Sequence, residues 1–229
     1  MEHRQMTRYI EEHREVHQLF ASHLYTCDLD DPFNELKDHK EDPGHVYPGE
    51  YWGAQQNSKA KIDNYNPDYR VLEKFPEIKE KILTICSDYL KGYFGYTKND
   101  FLISTSWITI TPPSVISTEH NHRGAFFSGV LYFDEYDEKS GRLVFVDPLT
   151  LLKPYNLESI YEMDRDKCWS YVITPAHGRL CLFPSYLRHK VEKNTSDVTR
   201  YSLAFNILPK GRWNVSDSDS MIDSEWFAE

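Results

Sequence analysis

From Phe101 to Leu208 the chain is cut into short apolar runs by Gly, Pro, Asp and Asn, and no other feature limits its fold as strongly. The runs are Phe101–Thr111, Gly129–Phe133, Leu143–Val146, Tyr171–Thr174, Arg179–Phe183 and Arg200–Leu208. They are short, separated by turn-forming residues, and some alternate apolar with polar, which reads as strand. Several such runs in succession predict a β-sandwich or jelly roll. One helix precedes them. Phe75-Pro76-Glu77 opens it, with Pro early, where its missing N–H costs nothing. Ile78, Ile82, Ile85, Tyr89 and Tyr93 repeat at three- and four-residue steps to about Gly92, so that face should pack on a sheet. Gly92 or Gly95 should end the helix. Helices first and strands later predict helices packed outside a sheet.

The remaining segments organise around that core. Met1 to about Gln18 reads as a charged helix with a thin stripe of Ile10, Val16 and Leu19, and His13 and His17 on its solvated face. Leu19–Thr26 reads as a first strand. Asp28 to Arg70 is polar and rich in turn signals. There Tyr47, Tyr51, Trp52, Tyr65 and Tyr69 either rim a site or pin a loop to the core. Asp147 to Asp166, with Tyr155, Tyr161 and Met163, is an insert that serves as a lid or as a plain surface excursion. The expected organisation is one domain over 1–229. Its helical and loop part runs to about 100, its jelly-roll core from about 101 to 208, and a polar tail from 209 to 229.

Composition excludes several classes. Aromatics make up 14 % of the 229 residues, enough for a core and against disorder. A net charge of −10 with no Lys/Arg cluster disfavours nucleic-acid partners. No apolar run reaches bilayer length, and no apolar signal region follows Met1, so neither membrane nor secretion is expected. Cys27, Cys86, Cys168 and Cys181 are scattered, which fits reduced thiols and a cytoplasmic setting.

The chemistry concentrates at Glu119-His120-Asn121-His122-Arg123-Gly124. Residues two apart in an extended chain point to one face, so His120 and His122 can aim both imidazoles inward. Imidazole suits iron, zinc, copper and nickel. Phe183-Pro184-Ser185-Tyr186-Leu187-Arg188-His189 supplies a third candidate, His189, where the chain turns into its next strand. Arg200 follows, in Arg200-Tyr201-Ser202-Leu203-Ala204-Phe205-Asn206, with Ser202 on its own face. A buried guanidinium needs an anion, and its planar fork fits a carboxylate. Each histidine alone is as well explained by a strand-end hydrogen bond. His177, in Pro175-Ala176-His177-Gly178, reads as a turn residue.

His-x-His, the strand ending Tyr132-Phe133-Asp134, Ser140-Gly141-Arg142-Leu143, Phe-Pro-Ser-x-x-x-His and Arg-x-Ser-x-x-x-Asn occur here in one order. Together they resemble the 2-oxoglutarate- and iron(II)-dependent oxygenases, most closely a bacterial and phage branch related to prolyl 4-hydroxylases. The resemblance runs from about Trp107 to Leu208. It implies a double-stranded β-helix, a cupin-like jelly roll with metal in its mouth. It further implies Fe(II) on His120, His189 and His122, and 2-oxoglutarate reaching Arg200 with help from Ser202 and Tyr132. The implied activity is that of a dioxygenase: O2-dependent hydroxylation of a peptide side chain or small molecule, with release of succinate and CO2. One departure stands out. The family's usual set has a carboxylate two residues after the first histidine, and here that position is His122. A neutral ligand leaves one more positive charge on the metal, which dianionic 2-oxoglutarate offsets. Alternatively His122 stands outside the ligand set, and Glu119 or water completes it.

Two other readings compete. A three-histidine cupin-type dioxygenase would use O2 without 2-oxoglutarate and would not need Arg200. A non-catalytic jelly-roll binding module would not need the histidines. The expected partner is a small-molecule or peptide substrate, and a homodimer stands as one candidate assembly.

Overall fold

A computed structural model describes residues 22–30, 33–40, 46–48, 70–147, 170–213, 219 and 221–227. The helix expected at Met1–Gln18, the insert after Asp147, and Tyr51, Trp52, Tyr65 and Tyr69 lie outside them. So do Cys168 and the side chain of Tyr47.

Among the described residues ten strands make two sheets. In chain order they are β1 (Tyr25–Asp28), β2 (Val46–Pro48), β3 (Phe101–Thr111), β4 (Ser117–His120), β5 (Phe127–Leu131), β6 (Leu143–Val146), β7 (Ser170–Ile173), β8 (Arg179–Pro184), β9 (His189–Val191) and β10 (Arg200–Pro209). One sheet runs β1-β8-β5-β10-β3-β2 and the other β4-β9-β6-β7. From β3 onward the chain passes between the two sheets, with β6 and β7 successive in the smaller one. Every pairing is antiparallel except that of β2 with β3. That winding is a double-stranded β-helix, the fold class expected.

A short helix, α1 (Asn34–Asp38), follows β1, and the longer α2 (Pro76–Phe94) precedes β3. Gly95, at φ 71°, ends α2, and its N–H caps the carbonyl of Leu90. The buried face of α2 is Ile78, Ile82, Cys86 and Leu90. It is turned from the expected stripe: Ile85 and Tyr89 are only partly buried, and Tyr93 is 60 % exposed. Cys86 and Leu90 continue the four-residue step from Ile82, a drift that apolar residues on both rows let the packing choose. These residues join Phe101, Ile108, Leu203, Phe205 and Ile207 in the larger core, on the outer face of the six-stranded sheet. A smaller cluster of Tyr132, Leu143, Phe145, Ile173, Phe183 and Leu187 lies between the sheets.

Strand limits shift modestly. The first strand is Tyr25–Asp28, three of whose residues fall at or beyond the end of the expected run. β5 starts two residues early, and β4 was not expected at all. The expected polar tail instead contains a two-stranded ribbon, β11 (Arg212–Trp213) with β12 (Ile222–Asp223), closed by an Arg212–Asp223 ion pair of 2.7 Å. None of the described helices is long and apolar enough to cross a membrane.

One irregularity matters for the site. Asn206 of β10 pairs with Thr105 of β3, but the next residue, Ile207, pairs with Ile103. Ser104 is therefore an extra residue, a β-bulge. It reverses the in–out alternation of β3. Phe101 and Ile103 lie in the helix-side core on one side of it, as do Ser106 and Ile108 among the buried residues on the other. Thr105, Trp107 and Thr109 consequently face the space between the sheets.

Candidate metal centre and anion pocket

A cavity of about 420 Å3 opens between the sheets. Alternate residues of β10, namely Arg200, Ser202, Ala204 and Asn206, form one wall. His120, His122 and His189 line it as well.

The three imidazoles converge. One ring nitrogen of each lies within 4.8 Å of the others, the one cluster of three or more such groups found among the described residues. His120 ends β4 and His189 begins β9, directly opposite each other in the sheet. His122 lies past the strand end, where its N–H donates to the carbonyl of Ser185 at 3.0 Å. The Nδ1 atoms of His120 and His189 bond the carbonyls of Thr118 (2.7 Å) and Leu187 (2.9 Å). Those carbonyls hold the proton on Nδ1 and leave the Nε2 lone pair to face inward. The Nε2 atoms of His122 and His189 stand 3.3 Å apart. Two nitrogens each about 2.1 Å from one ion stand roughly 3.0–3.4 Å apart at ordinary coordination angles, so the pair fits a shared metal.

Burial lowers the pKa of all three rings. It pulls His122 to about 4 and His189 to about 3, with the neighbouring His120 pushing each the same way. The rings are neutral at physiological pH, the state a metal ligand requires. Glu119 lies outside this cluster. It faces outward and is ion-paired to Arg188.

Arg200 is 3 % exposed. Among the described residues it has no acidic partner. Its bonds are long and to neutral groups, Gly141 O and Ser202 Oγ, each at 3.3 Å, while Nε has none. Its guanidinium sits 5.5 Å from the centre of the Tyr132 ring. The Tyr132 hydroxyl is also buried without a partner, and burial raises its pKa, so it stays protonated as a donor. Arg200 Nε and the Tyr132 hydroxyl are thus unpaired buried donors beside the same cavity, which suits a carboxylate.

Arg200, Ser202, Tyr132 and the three histidines all line this one cavity. His177 stays apart, in the turn before β8, with Nδ1 against the carbonyl of Asp134. Missed from the sequence were Trp107, whose ring centre lies 5.8 Å from that of His122, and the Gly141 carbonyl that receives Arg200. Also missed was a polar network at the Asn206 end. There Ser185 and Ser128 hydroxyls meet at 2.7 Å, Ser128 donates to Asn206 Oδ1 at 2.8 Å, and Asn206 Nδ2 donates to Thr105 Oγ1 at 2.8 Å. Period-two spacing from Arg200 would have found Asn206. Nothing local would have found Thr105, because the bulge decides its face.

The double-stranded β-helix thus brings three inward imidazoles and a buried arginine without an acidic partner among the described residues to one cavity. Residues 105–206 match the family described as "Putative 2OG-Fe(II) oxygenase", a stretch just short of half the chain. Over that stretch the chain is similar to the 2-oxoglutarate- and iron(II)-dependent oxygenases. Among solved structures it is similar to a Pseudomonas putida prolyl-4-hydroxylase, at 15 % identity and TM-score 0.48, covering 82 % of this chain and 93 % of that one. It is also similar to a 2OG-Fe(II) oxygenase family oxidoreductase from Burkholderia pseudomallei, at 18 % identity and TM-score 0.41. That match covers 56 % of this chain and only 55 % of the other. A third is HygX from Streptomyces hygroscopicus, solved with nickel and 2-oxoglutarate bound, at 11 % identity and TM-score 0.41 over 60 % and 67 % of the chains. At these identities and scores the likenesses add no chemistry, and the fold rests on the strand order itself. No curated protein matches the chain.

Proposed function

We propose that this protein is a 2-oxoglutarate- and O2-dependent hydroxylase of a peptide side chain or small molecule, working in the cytoplasm. The observation that carries this reading is Arg200: a buried cation without an acidic partner among the described residues, in the same cavity as three convergent imidazoles. His120, His122 and His189 would hold Fe(II). When bound, the iron and 2-oxoglutarate supply the oxidising chemistry, releasing succinate and CO2.

The chain's own residues do the rest. The carbonyls of Thr118 and Leu187 set the ring tautomers. Arg200 and the Tyr132 hydroxyl receive the far carboxylate of 2-oxoglutarate. Tyr132, Leu143, Phe183 and Val191 give the cavity apolar walls that exclude water. With three neutral ligands the metal keeps its full charge, which the dianionic co-substrate balances.

The absence of a carboxylate from the cluster among the described residues favours one other reading, a three-histidine dioxygenase that does not use 2-oxoglutarate. Arg200 and Tyr132 separate the two, since that enzyme has no anion to place there. Anaerobic titration with Fe(II) and then 2-oxoglutarate should produce the weak visible charge-transfer band of a chelated keto acid. Succinate release across peptides, amino acids and small acids should then identify the substrate class. Iron binding without the band would favour the three-histidine alternative.

A further inference from the structure

The cavity has two polar ends, and the proposed co-substrate uses only one. Arg200 and Ser202 lie at one end of the β10 wall and Asn206 at the other. Alternate strand residues are about 6.7 Å apart, so Asn206 is roughly 20 Å from Arg200 along the strand. Ala204, between them, pairs with Trp107, and Trp107 touches His122. The metal position thus falls between the two ends.

At the Asn206 end the hydrogen-bond network leaves a defined remainder. Asn206 Oδ1 accepts from Ser128, and one Nδ2 hydrogen goes to Thr105. The second Nδ2 hydrogen has no partner among the described residues, and neither does the hydroxyl hydrogen of Thr105. Ser128 and Ser185, at 1 % exposure each, hold the amide in this orientation from beneath. Asn206 and Thr105 line the cavity, and both are partly exposed. Two donors converge there, while Asn206 Oδ1 and Thr105 Oγ1 each already accept one hydrogen bond.

We infer that Asn206 and Thr105 form the substrate-orienting end of the cavity, and that they receive a neutral carbonyl of the substrate, as in a peptide bond or an N-acyl group. A carboxylate is the poorer fit. The only cationic side chain lining the cavity among the described residues is Arg200, at the opposite end, and a buried anion at Asn206 would lack a counter-charge. The Trp107 ring beside His122 supplies an apolar wall between carbonyl and metal. The assignment rests on the oxygenase reading for its meaning, but the donor pair exists whether or not iron binds.

The test uses N-acetylalanine methylamide as probe, with sodium propionate and isobutanol as controls. Binding is read by ligand-observed NMR on the full chain, first without metal and then with Fe(II) and 2-oxoglutarate under anaerobic conditions. The amide should bind more tightly than either control. Thr105→Val removes one donor at nearly constant shape. Asn206→Asp keeps the acceptor toward Ser128 but removes the donor. Each should weaken amide binding about three- to tenfold, the worth of one hydrogen bond, without changing the response to isobutanol. Should Asn206→Asp fail to fold, Thr105→Val decides. Unchanged amide affinity in Thr105→Val, no amide binding to the wild type, or tighter binding of propionate would each overturn the assignment. Loss of the charge-transfer band in the wild type, with the donor-dependent amide binding intact, would instead overturn the co-substrate reading.

Discussion

Replacing Arg200 by Ala should weaken 2-oxoglutarate binding by about 2–5 kcal/mol, the cost of removing one partner of a buried, hydrogen-bonded charge pair. That is a loss of roughly 30-fold to several thousand-fold in Kd. The structure places the expectation in that range rather than near zero. Arg200 is 3 % exposed, so solvent screens it little. Its two existing bonds are neutral and long at 3.3 Å, and Nε has no partner, so an arriving carboxylate meets donors that are not already committed. Arg200→Met separates charge from volume and should lose nearly as much affinity as Arg200→Ala. Arg200→Lys should recover only part, because an ammonium lacks the two-pronged fork. The assay is titration of the anaerobic Fe(II)-loaded protein, following the charge-transfer band. A second readout is the rise in thermal midpoint that 2-oxoglutarate produces, which should vanish in Arg200→Met. Iron affinity should be nearly unchanged in all three, since Arg200 is not a ligand. Equal 2-oxoglutarate affinity in wild type and Arg200→Met would refute the reasoning.

His189→Ala should abolish the band, and His122→Ala should lower iron affinity, as measured by anaerobic metal titration; unaltered affinity in His122→Ala would remove it from the ligand set. The pKa values of about 3 for His189 and 4 for His122 lie below the ordinary 6.5. Between these limits the unfolded chain binds protons that the folded imidazoles refuse. The metal-free protein should therefore be fully stabilised by these groups above about pH 6.5 and should lose that stability as pH falls toward 3. Urea denaturation across this window should show the slope, and His189→Phe should flatten it. Gly141 sits at φ 77°, and an added Cβ would come within 2.5 Å of the carbonyl oxygen of Glu192. Gly141→Ala should cost on the order of 1–3 kcal/mol of folding stability by denaturant titration. It should also weaken 2-oxoglutarate binding, because the Gly141 carbonyl positions Arg200.

Much of this site could be read from the chain before any coordinates. His120 and His189, together with Arg200 and Ser202, are placed by strand alternation and by the order of short apolar runs. These are local properties, set by a side-chain period of two and by turn residues between strands. Glycine at 95 stopped α2 for an equally local reason, its left-handed φ. The buried face of α2 was less legible. Ile85 and Cys86 both fit a helical stripe, and only contact with the sheet chose Cys86. Which side chain near His120 faces the cavity was decided outside the local sequence as well. Glu119 and His122 are both near His120 in the chain, but the Arg188 guanidinium draws Glu119 outward while the Ser185 carbonyl holds His122 in.

The bulge at Ser104 marks the boundary between the two kinds of information. Period two, read straight along Phe101–Thr111, puts Ile103, Thr105 and Trp107 on one face. In the fold Ile103 belongs to the helix-side core while Thr105 and Trp107 line the cavity. A bulge depends on how two strands distant in sequence pair, here residues 103–105 with 206–207. Its position is set by packing on both faces of the sheet at once. Likewise, the chain specified a buried arginine, but its lack of an acidic partner among the described residues is a property of everything that surrounds it. Short-range chemistry chose which side chains point inward, and the long-range pairing of strands decided which of them meet.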